Sequence, residues 1–161
     1  MEMGAKGHQG REGAVPADKF DELVGAHAAA EFRSDIEGTL DTVCGSPDYE
    51  LHPLGWCIRD KALLREFYLE MFKVMRALEP VPGTDGSSTI MKSGEVIAEW
   101  VRALQHRDAS GHVVRLNFTA IVVRDPETGL IKGEYAYLDN DTAELFARLI
   151  DPEVQARMTA A

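Results

Sequence analysis

An α+β domain is what the sequence predicts, on three observations. Apolar residues recur at helical spacing from Ala17 to Val43, the longest helical stripe follows from Asp60 to Leu78, and alternation bounded by turn residues takes over from Thr89 to Leu138. Helices grouped ahead of long antiparallel strands favour a long helix packed across a curved sheet.

Each element has its own signal. Phe20, Leu23, Val24, His27, Ala28 and Phe32 share one face of a first helix that begins at Ala17. Ser34 and Glu37 then read as a capping box, opening a short helix from Asp35 to Val43. Gly45-Ser46-Pro47 breaks it, and the alternation Tyr49-Glu50-Leu51-His52 before Pro53 and Gly55 predicts a strand entering a turn. Asp60 is the expected N-cap of the long helix, which carries Leu64, Phe67, Tyr68, Met71, Met75 and Leu78 on one face until Pro80 to Gly83 ends it. Thr84 to Ser88 reads as a polar loop. Ser93-Gly94, Asp108 to Gly111 and Asp125 to Gly129 then separate a short strand from three longer ones, Glu95 to His106, His112 to Val123 and Leu130 to Leu138. Asp139 caps a closing helix through Ile150. Residues 1–15 are rich in Gly and charge and are expected to be a flexible leader; residues 16–151 form the domain, and 152–161 a short tail.

Composition narrows the function. With 161 residues, 45% of them hydrophobic, the chain can bury a core without staples. Seventeen Lys and Arg against 27 Asp and Glu leave a net charge of −10, which repels phosphate backbones and anionic headgroups, so neither nucleic acid nor membrane is an expected partner. No apolar run suits a signal peptide or a membrane helix, and a cytoplasmic location is expected. Cys44 and Cys57 have no metal-type spacing and no His at a ligand interval, which gives a zinc site little support.

The order of elements and several local motifs resemble the SnoaL-like and ketosteroid isomerase-like members of the nuclear transport factor 2-like superfamily. The segment Asp48-Tyr49-Glu50-Leu51-His52-Pro53-Leu54-Gly55, followed by Arg59 to Tyr68, is similar to that family's strand, Pro-x-Gly turn and third helix. Gly133-Glu134-Tyr135-Ala136-Tyr137-Leu138-Asp139 is similar to its final strand, and the similarity spans nearly all of Phe20 to Ile150. The resemblance implies a cone-shaped curved antiparallel sheet packed on a long helix plus N-terminal helices, an apolar pocket for a small hydrophobic molecule, and commonly a homodimer through the sheet. It implies no cofactor and no single reaction, because members of this scaffold differ in chemistry.

Aligned on the epoxide hydrolase relatives, Trp100 and Arg102 stand where those enzymes carry an Arg and an Asp, and Ala136 stands where a catalytic Asp is placed, so that acid is missing here. His52 falls where the steroid isomerases place a proton-shuttling Asp, and imidazole can both take and return a proton near neutral pH. Glu134 shares a face with Ala136; buried in an apolar cone its pKa rises, and it is either an acid or base or the structural partner of Arg102. The expected catalytic set is therefore His52, Glu134 and Arg102, with Arg102 stabilising oxyanion charge. Trp100, Tyr68, Ala136 and Phe118 are the expected pocket lining, and Trp56, read as lying in the loop after Gly55, the cover of its mouth. Tyr135 and Tyr137 are expected on the opposite face. The chemistry implied is isomerisation, cyclisation or dehydration of a polyketide-, steroid- or terpenoid-like molecule. A ligand-binding or assembly module, and an epoxide hydrolase with rearranged acids, are the alternatives.

Overall fold

A computed structural model of the chain describes residues 14–82, 87–107, 111 and 113–159, with the backbone alone at 80, 87–90 and 100–107. After a 3-10 turn, Ala17–Lys19, come the helices α1 (Phe20–Phe32) and α2 (Ile36–Asp41) and the strands β1 (Tyr49–His52) and β2 (Trp56–Ile58). The long helix α3 (Lys61–Arg76) leads to β3 (Glu79–Pro80), β4 (Ser87–Lys92), β5 (Val96–Arg107), β6 (Val113–Arg124) and β7 (Ile131–Leu138), and the described chain closes with α4 (Asn140–Leu149) and α5 (Pro152–Thr159). One seven-stranded sheet runs β2-β1-β7-β6-β5-β3, with β4 also paired to β5. The meander β5-β6-β7 is antiparallel as expected, but β1 joins β7 in parallel, Leu51 opposite Ala136. Register shifts occur in β4, β5 and β6, and bulges of this kind bend and twist a sheet locally.

Why these segments take these forms is visible at their ends. The Asp60 carboxylate accepts from the Leu63 amide at 2.9 Å and opens α3, and Asp139 does the same for α4 through the Thr142 amide. For α2 the cap is Asp35, not Ser34: its carboxylate accepts from the Gly38 amide at 3.0 Å, while Ser34 adopts a positive φ of 53° in the preceding turn. α1 buries Phe20, Val24, His27 and Ala30, and Phe32 is 86% exposed, because a step of five from His27 leaves the helix's buried face. α3 lays Leu64, Phe67, Tyr68 and Phe72 onto Tyr49, Leu51, Trp56, Ile58, Val122 and Ala136 of the sheet in one core. Full burial of each large apolar side chain there contributes about 1.5–3 kcal/mol.

Three expectations about extent are corrected. Trp56 begins a strand rather than sitting in a loop; it pairs with Leu51 and is buried. The segment expected as a tail is helical: α5 puts Val154 and Met158 into the core against β2 and α3, and Arg157 bonds Glu66. At the other end, of the expected leader residues 1–13 lie outside the description, while Val15 is already tied down. Its amide donates to the Thr128 carbonyl at 3.0 Å and its carbonyl accepts from the Arg124 guanidinium at 2.6 Å. Gly129 permits this strap, since its φ is +76° and a Cβ there would stand 2.1 Å from the Val15 carbonyl oxygen. Among the described residues no helix is long and apolar enough to cross a membrane.

Candidate functional site

Strand alternation divides the sheet into two faces. On the helix-covered face β7 presents Glu134, Ala136 and Leu138, opposite Val122, Ala120 and Phe118 of β6. β5 adds Ile97 and Glu99, opposite Val122 and Ala120, and β1 adds Tyr49 and Leu51. Glu134 is enclosed by protein yet keeps some accessible surface.

α1 supplies the polar residues above it. His27 is 4% exposed, and its neighbours determine its tautomer. Nδ1 stands 3.2 Å from the Thr39 carbonyl oxygen, which can only accept, and 2.6 Å from Thr42 Oγ1, whose own proton is given to that same carbonyl at 2.6 Å. Nδ1 therefore carries a hydrogen. Nε2 is left to face the interior, 3.1 Å from Tyr68 Oη and 3.2 Å from Glu31 Oε1. Neutral His27 accepts the Tyr68 hydroxyl proton there; protonated His27 donates to Glu31. One turn of helix puts His27 and Glu31 on one face, and single ligand atoms of His27, Glu31 and Glu134 all lie within 4.8 Å of one another.

The electrostatics follow from crowding carboxyls in a dry place. Burial, and then the Glu31 charge, lift the Glu134 carboxyl from 4.5 to about 7; His27 pulls it down and Glu99 adds to the rise. For His27, burial works against the imidazolium, but the hydrogen bond and charge of Glu31, with Glu134 behind, outweigh it and raise its pKa above the usual value. Burial holds the Tyr49 and Tyr68 phenols well above their ordinary range, so both are neutral donors. The Tyr49 ring meets Tyr68 edge-on at 6.4 Å, and the two buried phenols interact through their hydroxyls. The arrangement can hold a proton on Glu134 or on His27, whose ligand atoms lie within 4.8 Å of each other.

The expected site residues divide accordingly. Glu134, Ala136 and Phe118 share the interior face, and Tyr68 reaches the cluster from α3 through His27. Trp56 is core rather than a cover. His52 is elsewhere: in β1 it is Tyr49 and Leu51 that point inward, so His52 lies on the outer face, stacked on Tyr137 at 5.1 Å with Nε2 3.2 Å from Glu50, and its side chain is 43% exposed. The expected convergence of His52 with Glu134 is corrected by one residue of strand parity. The side chains of Trp100 and Arg102 lie outside the described residues; in the backbone register Trp100 is opposite Thr119, and Arg102 falls within the bulge between Val101 and Leu104. His27, Glu31, Tyr49 and Glu99 were not singled out from the sequence. The signal for the first two was a polar pair one helical turn apart, its first member on an apolar stripe.

The order of the strands, the bent sheet and the long helix across it define the fold of the nuclear transport factor 2-like proteins, and comparison with solved structures shows the same. An NTF2-like protein from Burkholderia xenovorans superposes with a TM-score of 0.60 at 17% identity, covering 86% of this chain and 100% of that one. A protein assigned as a polyketide cyclase from Xanthomonas campestris pv. campestris gives 0.59 at 14%, covering 84% and 98%. SalBIII, an epoxide hydrolase/cyclase-like enzyme of pyran ring formation in the polyether salinomycin, gives 0.57 at 18%, covering 76% and 92%. No protein-family model matches the chain, and no curated protein sequence matches it.

Proposed function

We propose that the chain is a general acid/base enzyme acting on a small, mostly apolar molecule held against the inner face of the sheet, by isomerisation, cyclisation or dehydration. One observation carries this reading: an imidazole and two carboxyls, His27, Glu31 and Glu134, converge on the interior face between α1 and β7. Glu134 is the group that exchanges a proton with the substrate, and a carboxyl balanced near neutrality is suited to both directions of transfer. His27 receives or returns that proton at Nε2, with Glu31 stabilising the imidazolium and the Thr39 and Thr42 contacts keeping the ring in place. Tyr49, a buried neutral phenol on the inner face beside Tyr68, supplies a hydrogen bond to substrate oxygen. Similarity to polyketide cyclase and epoxide hydrolase/cyclase-like proteins supports the class of substrate.

The test is a panel of neutral probes: a conjugated ketone with an acidic α-hydrogen, a benzisoxazole for base-promoted ring opening, and simple epoxides in ¹⁸O-labelled water. General acid/base groups contribute about 10²–10⁴-fold, so Glu134→Gln should lose at least about 10²-fold on whichever probe turns over. Wild-type rates in Glu134→Gln would overturn the assignment. An infrared carboxyl titration tests it without a substrate, and a Glu134 that ionises near its ordinary value of 4.5 would remove its basis. The second reading, water addition to an epoxide, is favoured by Glu31 and Glu134 offering carboxylate oxygens within 4.8 Å of each other, since that reaction needs two carboxyls; labelled diol from the epoxide arm distinguishes it.

A further inference from the structure

Beyond proton transfer, we propose that His27 Nε2 and one carboxylate oxygen each of Glu31 and Glu134 form a binding site for a divalent first-row transition ion. The spacing suits it. Ligand atoms on a tetrahedral ion with bonds of ~2.1 Å stand ~3.4 Å apart. Nε2 and Glu31 Oε1 are already 3.2 Å apart, and the whole set lies within 4.8 Å, a gap that rotation of one carboxyl closes.

Independent features support the spacing. The Nδ1 hydrogen of His27 is committed to the Thr39 carbonyl and Thr42 Oγ1, which aims the Nε2 lone pair into the interior, and an outer contact of this kind orients most metal-binding histidines. Two ligands come from one face of α1 and the third from β7, so regular elements hold all three. Charge agrees as well, because a neutral imidazole with two carboxylates offers −2 to a dication where unbalanced charge is costly. One imidazole nitrogen with two carboxylate oxygens suits Zn²⁺, Co²⁺ or Mn²⁺ better than soft Cu⁺ or hard Ca²⁺.

The experiment uses the full chain, stripped with a chelator and desalted, and titrated with Co²⁺ while visible absorption is recorded. Zn²⁺ calorimetry runs in parallel. The expected result is one Co²⁺ per chain with a ligand-field band, and at least about tenfold weaker binding with loss of the band in both His27→Gln and Glu134→Gln. Absence of the band, or weak binding equal in wild type and variants, overturns the site; the latter is what diffuse attraction to a chain of net charge −10 produces. If His27→Gln does not fold, Glu134→Gln decides alone, because it preserves shape and removes a buried charge. Loss of this proposal leaves the acid/base reading standing, since that rests on wild-type turnover, and its loss in Glu134→Gln, in chelator-treated buffer.

Discussion

Replacing Glu134 by Gln should stabilise the protein, and by an amount that depends on pH. The carboxyl ionises near 7 in the folded chain against an ordinary value of 4.5, a difference of about 2.5 units, and at ~1.36 kcal/mol per unit the ionised group costs the native state about 3 kcal/mol. The sign follows from proton binding. Between pH 4.5 and 7 the native state holds more protons here than the unfolded state, so the group's contribution is fully present below 4.5 and is lost as pH rises through 7. Gln cannot ionise and escapes that loss. The stability difference between Glu134→Gln and wild type should therefore start near zero at pH 4.5, grow with pH, and level off above 7 at about 3 kcal/mol in favour of the variant. All the groups facing Glu134 enter the balance. Glu31 and Glu99 push its ionisation up, whereas the His27 cation pulls it down, and the variant forfeits that attraction while His27 remains charged. The plateau is thus read above the His27 titration. Urea unfolding at pH 5, 6, 7 and 8 gives the curve. A flat difference, or a variant less stable at pH 8 than wild type, would refute the placement of this carboxyl in a dry, anionic interior.

His27→Ala should destabilise, because it takes the ring contact from the Tyr68 hydroxyl in the core, while Thr42 Oγ1 and the Thr39 carbonyl keep their bond to each other; at ~1–3 kcal/mol for a buried polar group that loses its partner, urea unfolding should show a loss of at least about 1 kcal/mol. His52→Ala removes only a half-exposed ring stacked on Tyr137 and an outer contact to Glu50, so the loss should stay within about 1 kcal/mol with turnover unchanged; abolished turnover would put the active site on the other face of the sheet. Gly133→Ala should fold poorly or not at all, since a Cβ there stands 1.7 Å from the Asp48 carbonyl oxygen, and backbone at the β1–β7 junction has no rotamer to move; circular dichroism and thermal melting read the result.

How much was legible depended on the period of the signal. Helices and turns carry their own local chemistry, and the caps Asp60 and Asp139, the breaks at Ser93-Gly94 and Asp125 to Gly129 and the long helix stand where periodicity and capping place them. The inner face of β7 was readable for a related reason: Glu134 and Ala136 share parity whatever the exact register. β1 was not. Four residues of alternating burial, with both Tyr49 and His52 large enough to serve as wall or as surface, hold no local information on which parity is buried. Parity is decided by what lies beyond the strand: the parallel pairing that sets Leu51 against Ala136, and α3 pressing on Tyr49 and Leu51. His27 was visible as a member of a stripe, but its role emerges only when α2 brings Thr39 and Thr42 beneath one ring nitrogen and α3 brings Tyr68 to the other.

The interior polar set is hard to explain as a device for stability. A domain's net stability is about 5–15 kcal/mol, so a carboxyl costing about 3 kcal/mol at pH 8 spends a large share of it, and Gln or Leu at 134 would serve the core better. Nor is Glu134 compelled by β7, whose neighbours on that face, Ala136 and Leu138, are apolar and pack against β6 without charge. Glu31 deepens the cost by repelling Glu134, although an exposed position one residue along α1 was available to an acid. Two carboxyls set close together on an apolar wall, beside an imidazole whose Nε2 faces Glu31 and Tyr68, are arranged for an occupant that relieves the repulsion. A proton passing to or from a bound molecule does so, and so does a divalent ion; a solid hydrophobic core has use for neither.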